Sequence, residues 1–118
     1  MDKIKKLSDA IELGSIGKKQ GRGGNSIMSD TAPCVLGMVR IACGIENCNI
    51  VNVYDILENR FPILKKHVNN PAYDAYGSPR GTKRTLMDVC WSTNDAGWSV
   101  KEIIEVVKKH EDTETREA

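Results

Sequence analysis

Apolar residues fall three and four apart along most of this chain, the spacing of helices that bury one face. Leu7, Ala10, Ile11 and Gly14 share one side of a predicted first helix, with Ser8 as its cap. Val35, Leu36, Val39, Ala42 and Cys43 form the next stripe, with Asp30, Thr31 and Pro33 as start signals and Gly44 as the stop. Gly37 inside that stripe predicts close approach of another backbone, with Gly14 the expected neighbour. Residues 50–60 read as a third helix, capped by Asn49 or Asn52, that turns Val53, Ile56 and Leu57 inward and stops at Phe61-Pro62. Pro62 then opens a short fourth helix over residues 63–68, and a fifth runs over residues 82–91 through Leu86, Met87 and Cys90. The alternation in residues 49–54 is also compatible with a strand.

The clearest local signal is Asn94-Asp95-Ala96-Gly97-Trp98-Ser99 and the residues after it. Asn-Asp-Ala-Gly is turn chemistry. Ser99 with Glu102 makes a capping box, and Trp98 with Ile103 a hydrophobic staple across it. Val100, Ile103, Ile104 and Val107 give the last helix its buried stripe. The pattern predicts an all-α protein of five or six short helices in one domain, residues 1–110. The acidic residues 111–118 follow as a disordered tail.

Two stretches break the periodicity. Residues 17–30 hold Gly17, Gly21, Gly23 and Gly24 beside Lys18, Lys19 and Arg22. Residues 72–83 are again rich in Gly and Pro, between Tyr73 and Lys83. Long irregular loops in a small domain tend to be functional.

Composition narrows the classes. At 118 residues with 40% hydrophobic and 28% charged residues, the chain can build its own core. Only 5% of residues are aromatic, so that core is mainly aliphatic. The net charge of +1 is too small to point to nucleic acid, and no predicted helix carries a row of bases. No apolar run has the length of a signal sequence or a membrane span, so a cytoplasmic protein with reduced cysteines is expected. Cys34, Cys43, Cys48 and Cys90 lack the paired spacing of a zinc site. No Ser/His/Asp or Cys/His pattern marks a catalytic centre, and no metal or cofactor is called for.

Candidate chemistry therefore lies in the loops. Lys18, Lys19 and Arg22 combine cations with glycines whose amides can cradle an oxyanion. Arg80, Lys83 and Arg84 stand at a predicted helix start, where the dipole also favours an anion. Tyr76 is placed to stack on a base. If the two loops converge, these seven residues bind one phosphate-bearing ligand.

The segments Lys6-Leu7-Ser8-Asp9-Ala10-Ile11-Glu12-Leu13-Gly14, Cys34-Val35-Leu36-Gly37, Phe61-Pro62 and Asn94-Asp95…Trp98-Ser99-Val100-Lys101-Glu102-Ile103 resemble a set of small uncharacterised proteins of phages and prophages. The resemblance implies a mostly helical fold and a phage origin, and no reaction. Many of those proteins carry a close Cys pair before the last helix, which this chain lacks. Phage proteins of this size include some that sequester nucleotide immune signals. The expected function is accordingly a non-enzymatic, homo-oligomeric binder of an anionic small molecule, a cyclic nucleotide being one such ligand. The alternative is a protein–protein adaptor or inhibitor of a host factor, with nucleic-acid binding a weaker third.

Overall fold

The first apolar stripe forms helix α1 (Leu7–Ser15) in a computed structural model that describes residues 4–46, 48–71 and 82–117. Leu7, Ala10, Ile11 and Gly14 are all buried, as their spacing requires. Gly14 lies against the backbone of α2 (Val35–Ala42): a Cβ there would stand 1.8 Å from the Met38 carbonyl oxygen. Gly37 has a different neighbour from the one expected. Its missing side chain admits the carbonyls of Ser26 and Ile27, not Gly14. Those carbonyls belong to the segment around a 3-10 helix (Gly24–Met28), which sits inside the first basic loop.

Helix α3 (Ile50–Arg60) is capped by Asn49, whose side chain accepts from the amides of Val51 and Asn52. That settles residues 50–54 as helix, not strand. Phe61-Pro62 ends α3 as predicted, and a 3-10 turn (Pro62–Lys65) follows. The predicted fourth helix does not continue to Val68. His67–Asn69 instead forms strand β1, antiparallel to β2 (Lys83–Thr85), with Val68 opposite Arg84 and Asn69 opposite Lys83. The fold is therefore mostly helical with one small sheet. Helix α4 (Leu86–Asp95) starts later than predicted because residues 83–85 are spent on the strand. The Thr85 side chain caps it by accepting from the Asp88 amide.

Helix α5 (Val100–Glu117) begins at the predicted capping box: the Ser99 amide donates to Glu102 at 3.0 Å and the Glu102 amide to Ser99 Oγ at 3.1 Å. Ile103 and Val107 are buried from its stripe, and Trp98 packs half-buried against the core. The helix runs beyond the expected boundary at residue 110, into the segment read from sequence as a disordered tail. Glu111 accepts from both the amide and the hydroxyl of Ser8, at 3.1 and 2.6 Å. Ser8 is thus not the cap of α1. It lies in the first turn, and a carboxylate from the far end of the chain takes the free amide there.

Beneath these contacts lies an aliphatic core that includes Ile11, Leu36, Val39, Val53, Leu57, Leu64, Leu86 and Ile103. Asn94 is fully buried in the last turn of α4 and ties this core to the basic loop. Its Oδ1 accepts from the Val35 amide at 3.1 Å and from Gln20 Nε2 at 2.9 Å, and its Nδ2 donates to the Gly21 carbonyl at 2.8 Å. Cys34, at the cap position of α2, makes no side-chain cap bond, so Asn94 supplies that cap from another helix.

Asn94→Ala leaves the Val35 amide and the Gly21 carbonyl without their partner. At about 1–3 kcal/mol for each such group, the expected loss is about 2–6 kcal/mol in urea denaturation. Asn94→Asp should not rescue it, because a carboxylate cannot donate to Gly21. A loss below about 0.5 kcal/mol, the range of an ordinary surface change, would show that the carboxamide does not hold the junction.

Candidate functional site

Of the seven residues expected to bind a ligand, Lys18, Lys19, Arg22, Lys83 and Arg84 are among the described residues. Tyr76 and Arg80 lie outside them. The first loop is strapped to the body. The Lys19 amide donates to the Thr31 carbonyl and the Gly21 amide to the Pro33 carbonyl, so residues 19–21 run beside residues 31–33. Gln20 Nε2 reaches both Asn94 and the Trp98 carbonyl.

Two of the loop's donors meet acceptors of the protein itself. Lys18 Nζ donates to the Asp30 carbonyl at 2.5 Å. The Gly23 amide, one of those read as an oxyanion cradle, donates to the Asp95 carboxylate at 3.1 Å. Arg22 lies over Gly97, where a Cβ would stand 3.2 Å from its Nη2. Gly97 has φ 98, and it is this backbone conformation that calls for glycine at the corner. Lys19 keeps an exposed side chain. Lys83 and Arg84 are strand residues of β2 rather than helix-start residues.

A cation that the pattern reading did not single out does most to shape the loop. Arg40 on α2 is 4% exposed. Its Nε donates to the Ile27 carbonyl, Nη1 to the Ile45 carbonyl, and Nη2 to the Ser29 carbonyl and the Asp30 carboxylate, the last at 2.7 Å. The guanidinium fork suits this divergent set, and a lysine would not reproduce it. The Asp30 side chain is 80% exposed, so the ion pair is half in water. The Arg40 hydrogen bond, then its charge, holds the Asp30 carboxyl below its ordinary 3.8.

A second positive region sits elsewhere. A cleft of about 410 Å³ opens where the approach to α1 meets the end of α3. Lys5, Lys6 and Arg60 line it, with Pro62, Ile63 and Glu111. Arg60 is fixed by the ring of Phe61, 4.7 Å from its guanidinium carbon, and by a hydrogen bond to the Ile4 carbonyl. Lys5 and Lys6 are exposed, and the first turn of α1 adds its amide dipoles. No spacing rule could have marked this cleft, since its cations come from residues 5, 6 and 60.

The cysteines are free, with Cys34 and Cys90 buried. Burial, then the nearby Cys34, pushes the Cys90 thiol up to about 12, as fits packing rather than reactivity. Among the described residues no group of three His, Cys, Asp or Glu side chains is gathered as metal ligands, and no helix is long and apolar enough to cross a membrane. No protein-family model, curated protein or solved structure matches the chain.

The Asp30–Arg40 pair gives a pH dependence of known sign. A carboxyl whose pKa is depressed on folding stabilises above its unfolded value and loses that contribution as pH falls through the folded one. Asp30→Asn should therefore be less stable than the wild type at neutral pH, with the gap narrowing as pH falls below 3.8. Urea melts at both ends of that range read the gap; an equal gap at both would sever Asp30 ionisation from stability.

Proposed function

We propose that this chain is a small non-enzymatic binding protein for an anionic, phosphate-bearing molecule of the nucleotide type, and that the ligand enters the cleft at Lys5, Lys6 and Arg60. One observation carries the reading: three cations and the amino end of α1 face one cleft, where an oxyanion, the Glu111 carboxylate, already sits on the Ser8 amide and hydroxyl. A volume of about 410 Å³ falls within the ~300–1,000 Å³ of small-molecule sites. Arg60, held against Phe61, offers a fork that matches phosphate oxygens with little further loss of freedom. Pro62 and Ile63 supply apolar surface for a base or sugar.

The first basic loop is a poorer candidate than its composition promised, since Lys18 and the Gly23 amide are engaged internally. Sequestering a nucleotide immune signal such as a cyclic nucleotide, in the phage setting of the resemblance, is the biological form this function would take.

A second reading, an adaptor or inhibitor that docks on a protein, draws on exposed apolar side chains. Ile16 is 70% exposed and Val51 75%, with Leu13 at 50%. Exposed apolar side chains of this kind would also serve the expected homo-oligomer.

Thermal unfolding with a panel of mono-, di- and cyclic nucleotides and pyrophosphate tests the first reading. A ligand at 100 times its dissociation constant stabilises by about 2.7 kcal/mol. The shift should vanish in the Lys5→Glu/Lys6→Glu double variant and survive in Lys83→Glu. Absence of any shift across the panel would remove the reading. For the second, light scattering should report an oligomer that Ile16→Asp or Val51→Asp dissociates; a wild-type monomer that captures no host protein would end it.

A further inference from the structure

Helix α4 presents a face unlike any other surface described above. Asp88, Trp91 and Asp95 stand three and seven residues apart, on one stripe. Tyr54 of α3 faces the first part of that stripe. Tyr54, Met87, Asp88 and Trp91 line a cavity of about 210 Å³. Two aromatic rings, a thioether and a carboxylate thus surround one small space, and these four residues bring no cation to it.

The chemistry selects the occupant. An anion would meet the Asp88 carboxylate, and among the described residues of the lining no cation offsets it. A nucleotide is too large, since sites for drug-sized molecules begin at roughly 300 Å³. A compact organic cation fits on three counts. Ring faces attract it through their quadrupole. The thioether is polarisable and makes favourable contacts beside aromatic rings. The Asp88 side chain is exposed, and among the described residues it forms no hydrogen bond or ion pair, so its charge is available. Burial, then the nearby Cys34 and Asp95, raises the Tyr54 phenol above its ordinary 10.0, so the far wall is a neutral ring.

We propose that the cavity between α3 and α4 is a cage for a small organic cation, an alkylammonium or guanidinium head group. Tyr54 and Trp91 supply ring surface, Met87 the floor and Asp88 the counter-charge. The cage is separate from the Lys5–Arg60 cleft, and the two stand or fall independently.

Nuclear magnetic resonance of the two tryptophan indole N–H groups reads the site directly, with Trp98 as internal reference. Titration with tetramethylammonium and with methylguanidinium should shift the Trp91 resonance saturably and leave Trp98 in place. Tert-butanol, neutral and of similar size, should give no saturable shift. Asp88→Asn should weaken the cations about three- to tenfold, and Tyr54→Leu comparably, while Tyr54→Phe keeps binding because the ring face remains. Tighter binding of a short Arg- or Lys-bearing peptide than of the free cation would assign the head group to a polypeptide, and the reverse to a free amine; either outcome supports the cage. Equal shifts with tert-butanol, unchanged affinity in Asp88→Asn, or no shift at Trp91 with either cation would overturn it.

Discussion

A single buried carboxamide sets the geometry on which the rest of this fold depends. Asn94 satisfies three groups at one point: the first amide of α2, the side chain of Gln20 and the carbonyl of Gly21. Each would be costly to bury alone. Together they make the last turn of α4 the anchor of the first loop and the cap of α2. Gln20 also donates to the Trp98 carbonyl, so the start of α5 joins the same junction. Asparagine is suited to this role because it carries a donor and an acceptor on one short, uncharged stem.

Arg40 completes the arrangement from the opposite side of the loop. Asn94 holds residues 20 and 21, and Arg40 holds residues 27 to 30 and 45. A segment with four glycines is thereby held between two side chains from neighbouring helices. The consequence for function is electrostatic. Cations and amides that look available in a glycine-rich sequence are partly consumed in fastening the segment to the body. Lys5, Lys6 and Arg60 lie instead around a concave surface that they share with the Glu111 carboxylate.

The helices were legible because their signals are local. Asn49 capping α3, Phe61-Pro62 ending it and the Ser99–Glu102 box opening α5 each involve residues within four positions of one another. The sheet was not legible. Its strands have three residues each, too few for alternation to register, and they pair across the intervening residues 70–82. In sequence Asn94 has the signature of a turn residue, since nothing within a few positions reveals a partner at Val35. Ser8 has that of a cap for the same reason: its partner, Glu111, lies 103 residues away. The Lys5–Arg60 cleft and the Tyr54–Trp91 cavity belong to this second class, being assembled by packing between elements remote in sequence.

The two cavities share a structural cause although they differ in sign. Helix α3 contributes to both, through Tyr54 in one and Arg60 in the other. Six residues separate those positions, more than one and a half turns and about 9 Å of rise. Val53, just before Tyr54, and Leu57, between Tyr54 and Arg60, are fully buried and fix the rotation of the helix. That rotation leaves Tyr54 facing the acidic stripe of α4 and Arg60 facing the lysines before α1. A change that rotated α3 would disturb both cavities, whereas a change at Lys5 or Asp88 touches one. Any coupling between the Lys5–Arg60 cleft and the Tyr54–Trp91 cavity would thus run through the seating of Val53 and Leu57 in the core, because among the described residues no charged group lines both.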